Sequence, residues 1–314
     1  MKAFYQTSYK KSDNVNYGEL PDPIIIENQL LITVRAVSIN PVDYKIRNGD
    51  LKLIVGSKFP KIVGSDFSGI IKEVGASVTG LKPGDRVYGA IPAFSGKPGS
   101  LAELVSIDSE KVRLIPEGMS FEEAASLPVA ALTALNGLRR CEVKQGSKVL
   151  INGATGGVGH FAVQIAKAKG ATVTATCSEA NSELAKKLGA DKISGYKNED
   201  LALISDKFDA ILDAYGKMNY SDVSRLLKRG GTYASPLFFP TSFFSALWKR
   251  IIYGIKLTSS NMRALPEDYA EIESLFTSKK LKPFIENTFS LENTGNAFDL
   301  AENGRPRGKI IVNV

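Results

Sequence analysis

The sequence contains few of the residues that most often carry metal or nucleophilic chemistry. Its 314 residues include two cysteines, Cys141 and Cys177, and one histidine, His160. Zinc sites are built mainly from cysteine and histidine, so a zinc cluster lacks ligands here. A Cys–His pair or a Ser–His–Asp triad has no base except His160. Two cysteines are also too few for a disulfide framework, which favours a reducing compartment, the cytoplasm.

Uninterrupted apolar runs and dense runs of basic residues are absent too. The N-terminus, MKAFYQTSYKKSDN, has no apolar segment of the kind found in a secretory signal. Residues 236–257 form the longest apolar and aromatic stretch, but proline and charged residues interrupt it, whereas a spanning helix needs roughly 20 uninterrupted apolar residues. The net charge of +7 is spread along the chain. A solvated basic surface therefore explains the charge better than nucleic-acid binding.

The 236–257 stretch has three interpretations. It can form a subunit interface, it can be a lid over an apolar substrate, or it can contact a membrane surface with its aromatic residues inserted and with Lys249 and Arg250 at the headgroups. We favour the first two over a peripheral membrane contact. The expected assembly is a monomer or a homodimer.

The first part of the chain reads as short strands and turns. Residues 29–37, QLLITVRAV, place Leu30, Ile32 and Val34 on one face of a predicted strand and Arg35 on the other. Residues 82–85, KPGD, have Pro and Gly at the two central positions of a type II turn. This pattern predicts a compact β-rich domain.

Near residue 120 the pattern changes to helices that alternate with short apolar strands. Ser120, followed by Glu122 and Glu123, predicts a helix start, because a hydroxyl and carboxylates suit unpaired N–H groups. Alternation of strand and helix with short connections is typical of a parallel sheet with helices on both faces. The final KIIVNV predicts a strand that can pair back onto the first domain.

The motif with the clearest chemistry is KVLINGATGGVG, residues 148–159. In the fingerprint G-x-G-x-x-G/A, the three positions fall on Ala154, Gly156 and Gly159. A strand precedes the turn, and a helix predicted to start near Gly157 would direct its N–H groups at a diphosphate. A second strand ends about 20 residues on, where the adenosine ribose is expected. The motif predicts a dinucleotide site.

The end of that second strand bears on the choice of cofactor. NAD sites usually have an Asp or Glu there to hold the ribose 2′-OH, whereas this strand ends at Cys177 and Ser178, with Glu179 next. Ser178 and Asn181 can donate to a 2′-phosphate, and nearby lysines can add positive charge. The pattern favours NADP(H) over NAD(H), unless Glu179 turns inward.

Several separated motifs together resemble one known family, the zinc-less medium-chain dehydrogenase/reductase superfamily, and most closely its branch of zeta-crystallin-like quinone oxidoreductases and NADPH-dependent 2-alkenal reductases. The motifs are SINPVDYKIRNG (38–49), VGSDFSGIIKEVG (63–75), GLKPGDRVYG (80–89), SLPVAALTAL (126–135), INGATGGVGHFAVQIAKAKGA (151–171), KKLGAD (186–191) and RGKIIV (307–312). The resemblance implies an α/β fold with a GroES-like β-rich domain, residues 1–120 and 262–314, and a doubly wound Rossmann NADP(H)-binding domain, residues 121–261.

The resemblance also implies zinc-independent chemistry. In zinc-dependent relatives a cysteine ligand stands where this chain has Asn40, and this chain has no histidine near residue 64, where a second ligand is expected. Without zinc, oxidation of an alcohol is disfavoured. The implied reaction is hydride transfer from NADPH to a quinone or to the C=C of an α,β-unsaturated carbonyl, acceptors that are already activated.

Site residues follow from the same resemblance, position by position. The implied catalytic residues are Asn40, Tyr44 and Lys45, with Asp43 lining the same cleft and Lys45 also contacting the nicotinamide side of the cofactor. Tyr44 can be a proton donor or only a wall of the pocket. The implied cofactor contacts are Thr133 near the nicotinamide, Thr155, Gly156, Gly157 and Val158 at the diphosphate, Ser178, Asn181 and Tyr196 at the 2′-phosphate, and Ala214, Tyr215, Pro236 and Leu237 after later strands.

Other functions fit the sequence less well. Short-chain dehydrogenases carry the fingerprint at the N-terminus and a Tyr-x-x-x-Lys pair, but none of the eleven tyrosines here has a lysine four residues later. A protein that binds NADPH without turnover, as a sensor or a crystallin-like protein, is the alternative from another class. Acyltransferase and protease chemistry lacks a base. His160 is expected to be a helix side chain packed near the sheet.

Overall fold

A computed structural model of the protein describes residues 1–9, 15–236 and 254–314. The chain divides into two compact units, Met1–Val129 with Ile285–Val314 and Ala130–Phe284. The functional boundaries placed at 120/121 and 261/262 stay a prediction. Residues 237–253, which include Leu237 and most of the 236–257 stretch, lie outside the described residues, so the three interpretations of that stretch stay open. Within the described ranges no helix is long and apolar enough to cross a membrane.

Unit 1 consists mainly of strands with a few short helices, whereas strands and helices alternate along the chain in unit 2. The strands are β1 (Lys2–Gln6), β2 (Val15–Glu19), β3 (Gln29–Ser38), β4 (Lys61–Ile62), β5 (Asp66–Val74), β6 (Arg86–Ala90), β7 (Leu104–Asp108), β8 (Val112–Leu114), β9 (Lys148–Asn152), β10 (Thr172–Thr176), β11 (Lys192–Ser194), β12 (Phe208–Asp213), β13 (Leu227–Ser235), β14 (Lys256–Ser259), β15 (Ile285–Ser290) and β16 (Lys309–Asn313). The helices are α1 (Pro41–Asn48), α2 (Lys52–Val55), α3 (Phe121–Ser126), α4 (Pro128–Arg140), α5 (Gly159–Ala168), α6 (Ser182–Lys187), α7 (Asn198–Ala202), α8 (Tyr220–Leu226), α9 (Pro266–Thr277) and α10 (Thr294–Asn303).

Unit 1 is built on a seven-stranded sheet with the order β15-β16-β3-β5-β6-β8, in which β7 also pairs with β3, and on a three-stranded sheet β2-β1-β4. Its central strand β3 buries Leu30, Ile32 and Val34 and exposes Arg35, which confirms the predicted alternation. Leu31 is buried as well, because both faces of this strand are covered.

Two local predictions in unit 1 are confirmed by backbone geometry. In the Lys82–Asp85 turn, Gly84 has φ +91°, a conformation that glycine adopts without strain, and Asp85 N–H donates to the Lys82 carbonyl at 3.2 Å. At the start of α3, Ser120 Oγ accepts from Glu123 N–H at 3.1 Å, while Ser120 N–H donates to Glu123 Oε2 at 3.1 Å. This reciprocal pair is a capping box.

The C-terminal strand pairs back into the sheet of unit 1, between β15 and β3, as its sequence predicted. β16 pairs antiparallel with β3, with Ile311 opposite Ser38. Ile39 N–H, just past the end of β3, donates to the Ile310 carbonyl at 3.0 Å. This register places the beginning of β16 beside the junction between β3 and α1.

Unit 2 contains a six-stranded parallel sheet with the order β11-β10-β9-β12-β13-β14. Counted within the unit, this order is 3-2-1-4-5-6, the doubly wound arrangement of dinucleotide-binding folds. In its central strand β9, Val149, Leu150 and Ile151 are fully buried, as a strand covered on both faces requires. The two units together confirm the predicted α/β fold class. The order of the strands reverses between β9 and β12, where ligands bind in such sheets.

Helix α8 passes directly into strand β13. α8 ends at Leu226 and β13 begins at Leu227, whose backbone is extended. Leu227 pairs with Phe208 of β12, and Gly230 follows with φ +84°. Strand pairing from Leu227 and the left-handed glycine therefore mark the end of the helical segment.

Candidate functional site

The glycine-rich turn joins β9 to α5 and requires glycine at two positions for reasons of packing. Gly153 has φ +74°, and a Cβ built on it would lie 3.2 Å from Cβ of Tyr215. A Cβ on Gly159 would overlap the Gly153 carbonyl oxygen and lie 2.8 Å from Cα of Ala154. The first turn of α5 therefore packs directly on the end of the turn, which is the role expected of the last fingerprint glycine.

Gly156 is different, because folding alone does not require a glycine there. A Cβ on Gly156 would meet only the Gly153 carbonyl oxygen, at 3.4 Å, within the described residues. The space beside this backbone is open. A bare backbone that a ligand can approach is what the middle fingerprint position supplies to a diphosphate, so the turn fits a dinucleotide.

The start of α5 adds a partial positive charge to this turn. The helix begins at Gly159, slightly later than predicted, and its N-cap residue is Val158. Valine has no side-chain acceptor for the first N–H groups of the helix. Such N–H groups and the positive end of the helix dipole favour an anion.

Most of the other predicted cofactor residues in unit 2 lie where its parallel strands end, and therefore at one edge of the sheet. Thr155, Gly156, Gly157 and Val158 follow β9, Ser178 and Asn181 follow β10, Tyr196 follows β11, Ala214 and Tyr215 follow β12, and Pro236 follows β13. Tyr196 is 38% and Tyr215 50% exposed. Thr133 is elsewhere, buried within α4. The topology thus gathers residues that are far apart in sequence.

The segment after β10 carries the residues that bear on the choice of cofactor, and it leaves Glu179 exposed. Ser178 precedes a short 3₁₀ helix, Glu179–Asn181, and Asn181 N–H donates to the Ser178 carbonyl at 2.9 Å. Glu179 is exposed, while Ser178 and Asn181 are half-buried. Glu179 is therefore not packed into unit 2, and the preference for NADP(H) over NAD(H) stays a prediction.

A belt of polar side chains crosses the same edge, and the sequence analysis missed it. Thr176 Oγ1 donates to Asn152 Oδ1 at 2.6 Å, and Asn152 Nδ2 donates to Asp213 Oδ1 at 2.7 Å. Tyr233 donates its hydroxyl to Asp213 Oδ2 at 2.9 Å. Burial raises the pKa of Tyr233 and the Asp213 carboxylate raises it further, so this phenol stays a donor. The belt links β10, β9, β12 and β13. The feature of the sequence that could have indicated it is an aspartate, Asp213, at the end of an apolar strand.

Asp213 also shapes the loop that follows β12. Its two carboxylate oxygens accept from the backbone N–H groups of Gly216 and Met218, each at 2.8 Å. Asp213 is fully buried. Because buried carboxylates need such donors, the loop that carries the predicted contacts Ala214 and Tyr215 is fastened to the end of its strand.

In unit 1 the predicted residues Tyr44 and Lys45 are half-buried on α1. Asn40 is the N-cap of this helix, and its N–H donates to Asp43 Oδ2 at 2.7 Å. Gly49 ends the helix with φ +82°, where glycine is favoured. Both ends of α1 are therefore held by specific local contacts.

Asn40 and Asp43, predicted to line the same cleft as Tyr44, are both buried in a cluster of polar side chains, and their assignment to the site stays a prediction. Asn40 Nδ2 donates to Asp66 Oδ2 at 2.8 Å, and Asn40 Oδ1 accepts from Lys309 Nζ at 2.6 Å. Ser65 Oγ donates to Asp43 Oδ1 at 2.9 Å. Asn40 is 2% and Asp43 1% exposed. We call Asn40, Asp43, Ser65, Asp66 and Lys309 the buried cluster.

Burial controls the charges in the buried cluster. It raises the pKa of Asp43 to about 7, opposed by hydrogen bonds from Asn40 N–H and Ser65 and reinforced by the Asp66 charge. It raises the pKa of Asp66 to about 6, opposed mainly by Lys309. Burial lowers the pKa of Lys309, while both carboxylates oppose that shift. Asp43 is thus stabilised chiefly by hydrogen bonds, whereas Asp66 and Lys309 stabilise each other.

The buried cluster does not fit a zinc ion. Zinc prefers thiolate and imidazole, whereas the donors here are carboxylates, an amide and a hydroxyl, with an ammonium already among them. No group of three or more His, Cys, Asp or Glu that could hold a metal occurs in the parts of the chain that the structure describes.

The scarce histidine and cysteines have packing roles. His160 is fully buried in α5, with Nδ1 3.0 Å from the Gly156 carbonyl oxygen, in agreement with the prediction of a packed helix side chain. Both cysteines are free and buried. Burial raises the pKa of Cys141 to about 12, which keeps it a thiol.

Comparison with known proteins agrees with this architecture. The family model described as "Alcohol dehydrogenase GroES-like domain" matches residues 26–117, and the one described as "Zinc-binding dehydrogenase" matches residues 188–312. The 2-methylene-furan-3-one reductase of Solanum lycopersicum is 35% identical over 323 residues, which cover 99% of this chain and 79% of that protein. The chloroplastic NADPH-dependent alkenal/one oxidoreductase of Arabidopsis thaliana is 33% identical, covering 99% of this chain and 79% of that protein.

A solved structure extends the agreement to three dimensions. The quinone oxidoreductase from Coxiella burnetii matches with a TM-score of 0.89 and 35% identity, covering 100% of this chain and 99% of that one. The GroES-like and Rossmann assignments are therefore confirmed. With relatives at this identity along nearly its whole length, the chain belongs to the quinone oxidoreductase and 2-alkenal reductase branch of the zinc-less medium-chain dehydrogenase/reductase superfamily, whose members are oxidoreductases that use a pyridine nucleotide.

Proposed function

We propose that this protein is an NADPH-dependent reductase that delivers hydride, without zinc, to a quinone or to the C=C of an α,β-unsaturated carbonyl. The observation that carries the proposal is the open backbone at Gly156, in a glycine turn placed where the order of the parallel sheet reverses. The relatives named for alkenal/one, furanone and quinone substrates support the two acceptor classes.

The choice of acceptor follows from the chemistry of the donor set. A buried cluster that already contains an ammonium offers poor ligands for a Lewis-acidic zinc, so it does not suit the deprotonation of an alcohol. A conjugated carbonyl or a quinone already draws electrons from the carbon or oxygen that accepts hydride. Its reduction needs chiefly a positioned hydride donor and a source of a proton.

NADPH, when bound, supplies the hydride, and the residues of the chain hold and orient the cofactor. We assign the diphosphate to Thr155, Gly156, Gly157 and Val158, the 2′-phosphate to Ser178, Asn181 and Tyr196, and further contacts to Thr133, Ala214, Tyr215 and Pro236. On α1, we assign Lys45 to the nicotinamide side of the cofactor and Tyr44 to either proton donation or the pocket wall. Asn40 acts indirectly, since its side chain is buried and holds α1.

Preference for NADP(H) rests on the segment after β10. NAD sites usually carry an Asp or Glu at the end of this strand. Here the strand ends without an acidic side chain, and Glu179 further on is exposed, which supports NADP(H). Ser178 and Asn181, half-buried nearby, provide donors for a phosphate.

The test is a substrate panel followed by the loss of NADPH absorbance, with NADH as the paired control. We expect turnover with an alkenal, an enone or an ortho-quinone, higher kcat/KM with NADPH than with NADH, and no oxidation of simple alcohols by NADP⁺. Product analysis separates reduction of the C=C from reduction of a quinone. Binding of NADPH without turnover on the whole panel would contradict the proposal and favour a non-catalytic NADPH-binding protein.

Two variants on α1, with a control on the neighbouring helix, test the residue assignments. Lys45→Ala should raise KM for NADPH, whereas Lys52→Ala, an exposed lysine on the neighbouring helix, should not. Tyr44→Phe should lower kcat for an enone if the phenol donates the proton, and an unchanged kcat would leave Tyr44 only as a wall.

Compartment and assembly are proposed on more general grounds. The two free, buried cysteines suit a reducing compartment, and we propose the cytoplasm. We propose a monomer or a homodimer, which light scattering of the purified protein would distinguish.

A further inference from the structure

The one histidine of the sequence lies beside the glycine-rich turn, and its side chain contacts the backbone of that turn. His160 is fully buried, and its Nδ1 is 3.0 Å from the Gly156 carbonyl oxygen. A carbonyl oxygen can only accept a hydrogen bond, so the hydrogen lies on Nδ1. The ring also packs against the ring of Phe161, with the two centroids 3.8 Å apart. The imidazole is therefore a donor held in place against the turn.

The Gly156 carbonyl accepts two hydrogen bonds from this single residue. The backbone N–H of His160 donates to it at 3.0 Å, in the pattern of a helix, and the imidazole adds a second donor. The regular helix α5 begins only at Gly159, so the two glycines before Val158 lie outside it. Glycine backbone is the least restricted of all residues. The two bonds from His160 therefore fix a peptide that the sequence leaves free.

The orientation of this carbonyl decides where the next N–H group points. A peptide unit is planar and trans, so the Gly157 N–H points opposite to the Gly156 carbonyl, away from the body of α5. Within the parts of the chain that the structure describes, this N–H has no acceptor. Hydrogen bonds to the carbonyl of a peptide polarise it and strengthen its N–H as a donor. His160 thus both directs the Gly157 N–H and makes it a better donor.

We propose that His160 is a positioning residue for the cofactor diphosphate: its Nδ1–H holds the Gly156 carbonyl and thereby directs the Gly157 N–H at the diphosphate. The imidazole acts through this one peptide, since it is fully buried behind the turn. The role rests on the proposed function, because the group that is positioned for is the diphosphate of NADPH. The hydrogen bond itself is a property of the protein without cofactor.

Two substitutions separate the donor from the packing of the ring. His160→Leu removes the donor, whereas His160→Asn keeps an N–H as many bonds from Cα as Nδ1, and both remove the rest of the ring. By titration calorimetry, we expect Kd for NADPH to rise roughly 2- to 10-fold in His160→Leu, the net contribution of one hydrogen bond, and less in His160→Asn. The Tm values should have the opposite order, because asparagine buries an additional amide oxygen. With a merely structural role, affinity would follow Tm.

Gln164→Leu is the matched control on the same helix. Gln164 Nε2 donates to the His160 carbonyl at 2.9 Å, again four residues back, but this carbonyl lies beyond the turn. Its loss should lower Tm and leave Kd for NADPH unchanged. Equal Kd values in His160→Leu and His160→Asn, or an equal rise of Kd in Gln164→Leu, would overturn the role of His160 alone. A parent protein that binds neither NADPH nor NADH would overturn the proposed function, and this role with it.

A measurement on the parent protein covers the case in which the variants at this buried position do not fold. Because the sequence has one histidine, ¹⁵N-histidine labelling gives NMR signals from His160 only. The ¹⁵N shifts of an imidazole show which ring nitrogen carries hydrogen, and we expect Nδ1 to carry it with and without NADPH. An Nδ1 without hydrogen cannot donate to the Gly156 carbonyl, and that result would refute the proposal whatever the protein binds.

Discussion

Replacing Gly156 with alanine should separate cofactor binding from folding. A Cβ at this position meets only the Gly153 carbonyl oxygen, at 3.4 Å, and the φ of Gly156 lies outside the left-handed region. Alanine therefore fits the folded backbone. The added methyl group occupies the open space in which we place the diphosphate.

The sizes of the two effects follow from this geometry. Where alanine fits without strain, replacing glycine stabilises a protein by about 0.4–1 kcal/mol, because the unfolded chain loses freedom. Holding the diphosphate away from the turn weakens hydrogen bonds to a charged group, each worth about 1.5–3 kcal/mol. Loss of one such bond corresponds to a roughly 10- to 100-fold rise in Kd for NADPH. Gly156→Ala should thus fold at least as well as the parent protein and bind NADPH far less tightly.

Gly159→Ala provides the contrast within the same turn. Its Cβ would overlap the Gly153 carbonyl oxygen, so the start of α5 must move, at a cost of about 1–3 kcal/mol or more. Urea unfolding measures stability, and titration calorimetry with NADPH measures Kd, for both variants. If Gly156→Ala binds NADPH as the parent does, the diphosphate does not lie at this turn. If the two variants lose equal stability, our conclusion that only Gly159 is required by packing is wrong.

Two further predictions concern buried carboxylates. Because the pKa of Asp43 is raised to about 7, the folded state keeps a proton that the unfolded state releases above about pH 4, so the free energy of unfolding should fall as pH rises from 4 to 7, by at most about 1.4 kcal/mol per pH unit from this group. Urea unfolding across that range should show a weaker pH dependence of stability for Asp43→Asn but not for Asp299→Asn, an exposed control. An equal pH dependence in the two variants would contradict the assignment. Tyr233→Phe should lower the free energy of unfolding by about 1 kcal/mol, since Asp213 keeps three other donors. Asp213→Ala leaves several buried donors without an acceptor and should lower it by at least about 3 kcal/mol. Similar losses of stability in the two variants, measured by urea unfolding, would show that Asp213 is not the centre of the belt.

Local sequence determined the features whose causes lie within a few residues. The alternation of Leu30, Ile32 and Val34 predicts a strand whatever pairs with it, and Ser120 with Glu123 caps a helix through its own first turn. The glycine turn belongs to this class, because the tight bend at Gly153 and the close packing of Gly159 involve neighbouring backbone. These local patterns were enough to predict a β-rich domain beside a parallel sheet with a dinucleotide turn.

The tertiary structure alone decided what the polar residues in the interior do. Asn40 suggested a lost metal ligand at the level of sequence, but its buried contact with Lys309 depends on β16 returning to pair with β3. Asp213 looked like the end of a strand, and its partners on β9 and β13 come together only through the order of the sheet. Local preferences act between near neighbours, whereas a buried charge must find its partner wherever the chain brings one, and that partner lies far away in sequence.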